Sequence, residues 1–476
     1  MAGLPARRSR SGDILLKGYI CLDPMAPLSQ RQPHVPDWCA MQGDEIGSLW
    51  LRDAAWMPCP FVPSEILTVG FSMPQCQSQP LCLAPLACQA SWSFVNEILA
   101  DYPKKNIWKR VHALTNRPLK PIQTQWPEDA RLNMVSGVDL LAHNQEGLEK
   151  ELVEKLPHVD EVTHVYYLAY KAGLDVQKEL EEAVDMFSKA VKAMDKLCPA
   201  LEYVVLQIGT KVYGVHLLAA LPWFDEVAPP GTTGPKLPLP PLKESFPRIP
   251  SPYAEMLFYH AQNDWIAEYA KDKKWSWIET RPDLIIGYVP NQNAYSLGTT
   301  MGIYLALWKE LYGDGAECPF PGTDGVWKAL SNDSSSDMIA RQTIHLTLFA
   351  NPKKGEAFNI ADSKTPSNWE QKWPILCSYF GLKSTGPAST PIDIRRFISD
   401  NMETWLTMEK KYGLQSGHVN GGRGMQIAEE MLMTKFDFDR YFDMSKTYGA
   451  GLTEERGTKE SWGGVFDRMR KAKIIP

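Results

Sequence analysis

A single lysine follows a stretch of the chain that predicts a buried strand. The apolar run at 203–206 is closed by glycine at position 209, and Lys211 comes two residues later. An apolar run that ends in this way is typical of a strand buried on both faces of a parallel sheet. Ligands of open α/β sheets bind just beyond the carboxyl ends of the strands, so we expect Lys211 at the rim of a ligand crevice. The alternative, an ordinary surface lysine in a loop, stays open at this point because most lysine side chains are exposed.

Other familiar catalytic patterns are missing from the sequence. It contains no His-Glu-x-x-His, no Gly-x-Ser-x-Gly and no phosphate loop ending in Gly-Lys-Ser/Thr. Six of the nine cysteines lie in the first ninety residues, and none belongs to a Cys-x-x-Cys pair. The nine histidines do not pair at ligand spacing either, so we predict no metal site.

Composition excludes two broad classes of protein. The 476 residues carry a net charge of −6 without a sustained Lys/Arg block, which argues against a nucleic-acid scaffold. No stretch approaches the roughly 20 apolar residues that a membrane span requires. With 44% hydrophobic residues the chain can build a large core, and we expect a cytoplasmic protein without a membrane partner.

The chain divides into three segments. Residues 1–90 are rich in proline and cysteine, and only 65–70 has the pattern of a strand. Residues 91–295 alternate between strand and helix patterns, interrupted by a Pro/Gly-rich loop at 222–252. Residues 296–476 have mainly helical patterns, with one strand at 356–361 that we expect to return to the sheet. The strands predicted for the middle segment are 110–115, 135–140, 162–170 and 275–282, and a crossover helix at 176–197 precedes the strand of Lys211.

Four later segments carry a resemblance to a known family. They are Phe258-Tyr259, RPDLIIGYVP at 281–290, ALSND at 329–333 and FDRMRKAKIIP at 466–476. In order and spacing they resemble the progesterone 5β-reductase/iridoid synthase-like (PRISE-like) branch of the short-chain dehydrogenases, especially its fungal members, from about Ser91 to the last residue.

The resemblance implies a fold and an activity. The fold is α/β, a Rossmann-like doubly wound parallel sheet of the atypical or extended short-chain dehydrogenase type, with a mainly helical C-terminal substrate-binding lid. The activity is an NADPH-dependent reduction of an enone or a ketone in a small hydrophobic metabolite, in secondary metabolism. Whether the chain forms a homodimer is left open.

The same resemblance implies a separated pair of catalytic residues. In this branch the lysine follows the fifth strand and the tyrosine lies on the next helix, which points to Lys211 and Tyr259, with His260 where the family often has a second tyrosine. A phenol aimed at the substrate carbonyl stabilises the negative charge that develops there, and a nearby ammonium lowers the phenol's pKa. The usual Tyr-x-x-x-Lys spacing also occurs three times, at 167/171, 269/273 and 379/383, where we attribute it to chance.

The same resemblance implies a set of cofactor contacts along the carboxyl ends of the strands. Arg117 follows the second predicted strand, where an arginine pairs with the 2′-phosphate that distinguishes NADP from NAD. The full set of expected NADP(H) contacts is Asn116, Arg117, Asp139, Leu140, Ala169, Tyr170, Gln207, Ile285, Gln292, Asn293 and Ala294.

One feature opposes cofactor binding. A dinucleotide fold needs glycines between its first strand and first helix, yet the chain has no glycine between Gly70 and Gly137. Where the family has this turn, the sequence reads Cys88-Gln89-Ala90, and we interpret residues 1–90 as an aberrant or mis-joined segment. Two alternatives therefore stay open: an NAD-dependent sugar epimerase or dehydratase, and a non-catalytic remnant.

Overall fold

A computed structural model of the protein describes residues 80–83, 89–117, 119, 124–171, 175–218, 239–288, 296–416, 419 and 431–476. The predicted strand at 65–70 and the expected cofactor residues Gln292, Asn293 and Ala294 lie outside these residues. No helix in the described part of the chain is long and apolar enough to cross a membrane.

Seven parallel strands form the central sheet, in the order β10-β6-β5-β4-β1-β2-β3. The strands are β1 Pro80–Leu83, β2 Val111–Thr115, β3 Leu132–Ser136, β4 His164–Tyr167, β5 Tyr203–Gln207, β6 Ser276–Pro282 and β10 Glu356–Ile360. The strand order reverses at β1, which lies between β4 and β2. In a doubly wound fold, this reversal opens a crevice at the carboxyl ends of the strands.

The helices between these strands cover the two faces of the sheet. They are α1 Gln89–Leu99, α2 Gln145–Lys155, α3 Val176–Leu197, α4 Val215–Leu218, α5 Tyr253–Met256 and α6 Phe258–Tyr269. Right-handed crossovers in opposite directions from the reversal point place α1 on one face and α3 with α6 on the other. The Rossmann-like doubly wound fold predicted from the sequence is confirmed.

The crossover helix α3 has the bounds that its sequence pattern predicts. Asp175 caps it, because its carboxylate accepts a hydrogen bond from the Lys178 backbone N–H at 3.0 Å. Phe187, Val191 and Met194 recur at helical spacing and are buried. This face packs the helix under the sheet and brings its first turn to the carboxyl edge, beside β5.

The C-terminal region combines helices with two small parallel sheets. Its elements are β7 Ile285–Ile286, α7 Leu297–Tyr312, β8 Glu317–Phe320, α8 Asp324–Lys328, β9 Ser334–Ser335, α9 Ser336–His345, α10 Trp369–Tyr379, β11 Lys383–Pro387, α11 Ile394–Asp400, α12 Met402–Tyr412, α13 Ser445–Gly449 and α14 Thr458–Lys471. Strand β7 pairs with β9, and β8 pairs with β11. Strand β10, at the position of the strand predicted for 356–361, pairs with β6 in the large sheet.

Three elements differ from the sequence-based expectation. Strand β1 lies at 80–83, so the sheet starts before the boundary that we placed at residue 90. Strand β3 covers 132–136 rather than 135–140, because Gly137 takes φ +77 and ends the extended run. The mainly helical pattern expected of 296–476 is interrupted at Arg440, which donates its backbone N–H to the Leu330 carbonyl in another segment rather than within a helix.

Candidate active site

The turn that carries Lys211 lies at the carboxyl end of β5. A short 3₁₀ turn, Thr210–Tyr213, follows Gly209 directly. A Cβ at Gly209 would lie 3.3 Å from the Pro282 carbonyl oxygen and 3.8 Å from the Tyr259 hydroxyl oxygen. The glycine therefore lets β6 approach closely, and the Tyr259 hydroxyl lies against the backbone two residues before Lys211.

The Lys211 side chain is exposed to solvent, but it lies in a recess at the carboxyl edge of the sheet. Enough protein lies around the ammonium for desolvation to lower its pKa, and Glu179 opposes the shift. Among the residues that the structure describes, the Lys211 ammonium has no hydrogen-bond or ion-pair partner. A cation kept in a recess without a protein partner is suited to contact a ligand.

An aromatic series connects Tyr259 with the end of β4. Tyr259 lies on α6, and its ring contacts that of Phe258 at 4.5 Å between centroids. Phe258 in turn stacks on Tyr170, with centroids 5.5 Å apart. The Tyr170 hydroxyl donates to the Glu179 carboxylate at 2.5 Å. Since Glu179 also acts on the Lys211 ammonium, the ends of β4, β5, α3 and α6 converge on one site.

Two more of the expected cofactor residues lie beside this site. Gln207 is the last residue of β5, and its Oε1 is enclosed without a hydrogen-bond partner in the described part of the chain. Ala169 follows β4 and is partly buried. A buried amide oxygen without a hydrogen bond raises the free energy of the folded protein. We therefore infer that a ligand supplies the donor at this position.

The remaining cofactor residues occupy the far half of the sheet edge and its border. Asn116 and Arg117 are exposed just after β2. The loop after β3 joins them there, because Val138 donates its N–H to the Thr115 carbonyl at 3.1 Å. In that loop Asp139 accepts from the Leu141 N–H at 2.9 Å, and Leu140 is half-buried. Ile285 lies in β7, half-buried and paired with β9.

Comparisons with known proteins agree with this architecture. Residues 86–476 match the model of the PRISE-like Rossmann-fold domain. The chain belongs to the PRISE-like family. It is 37% identical to the short chain dehydrogenase ausT of Aspergillus calidoustus, over 81% of this chain and 92% of that protein. It is 26% identical to the (S)-8-oxocitronellyl enol synthase ISY1 of Nepeta cataria, over 78% and 86% respectively.

Among solved structures, one similar fold is that of epimerase Mth375 from Methanothermobacter thermautotrophicus. Its TM-score is 0.53 at 12% identity, covering 83% of this chain and 94% of that one. The resemblance to PRISE-like short-chain dehydrogenases, stated from sequence motifs, is therefore confirmed, and with it membership of an oxidoreductase family.

A nicotinamide cofactor fits one end of this PRISE-like site better than the other. The recessed ammonium of Lys211 suits a ribose, and the Gln207 Oε1, which has no hydrogen-bond partner among the described residues, suits a nicotinamide amide. When bound, the nicotinamide supplies hydride chemistry, while the protein supplies position and electrostatics. At the diphosphate end, α1 begins at Gln89, and the sequence before it has no glycine down to Gly70.

The three Tyr-x-x-x-Lys spacings of the PRISE-like chain do not form equivalent sites. Tyr269 and Lys273 both bind the Asp195 carboxylate, at 2.8 and 2.7 Å, near the amino ends of the strands. The other two pairs have lysines elsewhere: Lys171 forms an ion pair with Glu182, and Lys383 lies in β11, outside the central sheet.

Sequence reasoning missed Glu179. It lies one turn into α3, between the Tyr170 hydroxyl and the Lys211 ammonium. The available signal was its place in the first turn of a helix that begins at the carboxyl edge of the sheet. An acidic residue in a first helical turn is usually explained by the helix dipole, so this signal alone did not indicate a site.

Proposed function

We propose that this protein is an NADPH-dependent reductase that reduces the conjugated double bond of an enone, or a ketone, in a small hydrophobic metabolite of secondary metabolism. The observation that carries the proposal is that the Tyr259 hydroxyl lies against Gly209, two residues before Lys211, whose ammonium has no hydrogen-bond or ion-pair partner among the described residues. The names of the relatives support it, because one is a short chain dehydrogenase and another an enol synthase.

In this proposal, Tyr259 acts on the substrate carbonyl. Adding a hydride to an enone or a ketone builds negative charge on the carbonyl oxygen, and a phenol O–H donated to that oxygen stabilises the charge. For a ketone, the same O–H transfers its proton to the alkoxide. A donor aimed where the charge develops stabilises the transition state more than the ground state.

Lys211 has two tasks in the same scheme. Its positive charge stabilises the phenolate character that Tyr259 acquires as it donates its proton. Its N–H groups also donate to the ribose hydroxyls of the cofactor, which places the nicotinamide ring next to the carbonyl. Because the recess holds no protein carboxylate bonded to this ammonium in the described residues, the charge is available for both tasks.

Cofactor titration tests the proposal first. Purified protein is titrated with NADPH and with NADH while the tryptophan fluorescence is followed. We expect saturable binding with preference for NADPH. A preference for NADH favours the epimerase or dehydratase alternative, and no binding of either favours a non-catalytic remnant.

Turnover tests the chemistry. A panel of hydrophobic enones and ketones is screened by NADPH consumption, and Tyr259→Phe is compared with the wild type. The phenylalanine keeps the ring contact with Phe258 but has no O–H to donate. We expect kcat to fall by about 10²–10⁴-fold, the usual contribution of a positioned acid or base. Full turnover by the variant would remove Tyr259 from the mechanism.

A further inference from the structure

The Lys211 turn is bound to the end of β6 by three successive contacts. The Ile208 N–H donates to the Thr280 carbonyl at 2.9 Å. Gly209 approaches the Pro282 carbonyl, and the Thr210 hydroxyl donates to the Asp283 carboxylate oxygen Oδ1 at 3.1 Å. The last contact is made by the residue directly before Lys211, so the position of Asp283 fixes where the turn begins.

Asp283 is itself held from the C-terminal region. Its second oxygen, Oδ2, accepts from Arg440 Nε at 3.1 Å, and the two side chains are only 3% and 6% exposed. Burial raises the pKa of the Asp283 carboxyl, and the Arg440 guanidinium opposes that shift. A carboxylate this deeply buried depends on a cationic partner to stay charged, so removing Arg440 leaves an uncompensated charge or a protonated acid.

Arg440 is in turn fixed by its surroundings. Its backbone N–H donates to the Leu330 carbonyl at 2.8 Å, and its guanidinium lies over the Phe436 ring, 4.9 Å from the centroid. The backbone N–H of Asp283 donates to Ser334 Oγ at 3.0 Å, and Ser334 Oγ donates to the Ile360 carbonyl at 2.9 Å. The chain Arg440–Asp283–Thr210 thus joins the C-terminal region to the turn before Lys211 through buried, directional bonds.

We propose that Asp283 and Arg440 are positioning residues for Lys211, and that they act through Thr210 to hold its turn in the reactive place. The inference rests on the proposed function, because it concerns the lysine assigned there to catalysis. It adds that the site depends on a C-terminal residue far along the chain from Lys211. Neither Asp283 nor Arg440 contacts substrate in this scheme.

A purely structural ion pair is the competing explanation, and the chain offers a matched control for it. Lys372 Nζ pairs with Asp333 Oδ1 at 2.6 Å in the same region, and these side chains are 3% and 13% exposed. Trp462 Nε1 also donates to Asp333 Oδ2 at 3.0 Å, so this pair is similarly embedded. Within the described residues, no hydrogen bond of this pair reaches the 208–211 turn, although both of its charges act on the Asp283 carboxyl, so Lys372→Met changes the charge near Asp283 while it leaves the Arg440–Asp283–Thr210 bonds in place.

The experiment compares Thr210→Val, Thr210→Ser, Arg440→Met and the control Lys372→Met. Thr210→Val keeps the shape of the side chain and removes its O–H, whereas Thr210→Ser keeps the O–H. Misplacement of a catalytic group by about 1 Å costs about 10²-fold, so we expect Thr210→Val and Arg440→Met to lower kcat by about 10- to 100-fold. Thr210→Ser restores the rate, and Lys372→Met loses thermal stability without this fall in kcat.

A second readout uses the protein without cofactor or substrate. Each variant is treated with an acylating reagent across a range of pH, and labelling of Lys211 is measured by peptide mass spectrometry. In the wild type, burial lowers the pKa of Lys211 while Glu179 opposes the shift. A turn released from Asp283 lets the ammonium hydrate, so the labelling midpoint moves to higher pH in Thr210→Val and Arg440→Met and stays in place in Lys372→Met.

The outcomes separate this inference from the proposed function. If the wild type binds no NADPH but the labelling midpoints move as expected, positioning holds and the reductase proposal fails. If Thr210→Val matches the wild type in both midpoint and kcat, or if Lys372→Met shifts them equally, positioning is overturned. Should Arg440→Met fail to fold, the two Thr210 variants decide the question, because they leave the buried ion pair intact.

Discussion

Two groups of tyrosine and lysine lie at opposite ends of the same sheet. At the amino end, a single carboxylate, Asp195, binds Tyr269, Lys273 and the indole N–H of Trp275 at 2.8, 2.7 and 2.7 Å. At the carboxyl end, Lys211 has no such partner among the described residues, although Tyr259 lies close to its turn. The residue types are the same in both groups, but the lysine of the first group is bonded to a carboxylate and the lysine of the second, among the described residues, is not.

The bonding of the two lysines distinguishes a structural cluster from a candidate site. Tyr269 and Lys273 have the Tyr-x-x-x-Lys spacing of a catalytic pair, yet the hydroxyl and the ammonium both donate hydrogen bonds to the Asp195 carboxylate. Lys211 and Tyr259 lack that spacing, yet the Lys211 turn and the Tyr259 hydroxyl lie together at the carboxyl edge of the sheet, where ligands of such folds bind. In the function proposed above, a lysine without a bonded partner at this edge, rather than spacing along the chain, marks the site.

Replacing Lys211 and Lys273 in separate variants tests the contrast between the two groups most directly. We expect Lys211→Met to lower kcat/KM by about 10²–10⁴-fold, since it removes the charge beside the phenol. Lys273→Met is the control, and we expect its kcat/KM to stay near that of the wild type. Steady-state kinetics with NADPH decides between them. An equal loss in both variants would mean that lysine position is irrelevant.

The pH dependence of kcat/KM tests whether the positive charge of Lys211 is required for turnover. Burial lowers the pKa of Lys211 from its ordinary value, so its positive charge is lost at a lower pH than for a free lysine. We expect kcat/KM to decline on the basic side, tenfold per pH unit, with a midpoint below the ordinary lysine value of about 10.4.

Lys211→Arg tests the origin of that decline. Because a guanidinium stays charged to pH values above about 12, the basic limb should move upward or disappear in the variant, whatever its overall rate. A basic limb that stays at the wild-type position in Lys211→Arg would assign it to another group.

Substitution in the amino-end cluster around Asp195 should lower the stability of the protein and leave its turnover unchanged. Asp195→Asn removes the charge that Lys273 and two other donors share, and we expect a loss of about 1–2 kcal/mol in the free energy of unfolding. The value is modest because Lys273 is still 34% exposed and can hydrate. Urea unfolding measures the loss, and kcat should not change. A fall in kcat without a loss of stability would give the amino-end cluster a catalytic role.

Some parts of this molecule follow from sequence and others do not. The bounds of α3 were predicted because its polar and apolar residues alternate at helical spacing, and in the structure Asp175 caps the helix at the predicted start. Strand β1 was missed because it has four residues, starts with proline and lies in a segment that lacks the expected glycines. A short strand that is held by pairing with its neighbours, here β2 and β4, has no periodic signal of its own to detect.

Some residues of the candidate site could also be located from the sequence, and others could not. Lys211 was located from the strand that precedes it, because a buried strand and its carboxyl end are local properties. Arg440 was not, since its bond to Asp283 joins residues 157 positions apart. Glu179 was missed for a related reason, because its role depends on two neighbours, Tyr170 and Lys211, that only the fold brings together.

The smallest effect is expected at Arg117, at the far end of the carboxyl edge. It is exposed just after β2, where the cofactor's adenosine would lie. We expect Arg117→Ser to weaken NADPH binding by about tenfold, or about 1.4 kcal/mol, because a charge-assisted bond to the 2′-phosphate is lost. NADH has no such phosphate, so its affinity should hardly change. Equal weakening of NADPH and NADH in a fluorescence titration would contradict a role for Arg117 in choosing between them.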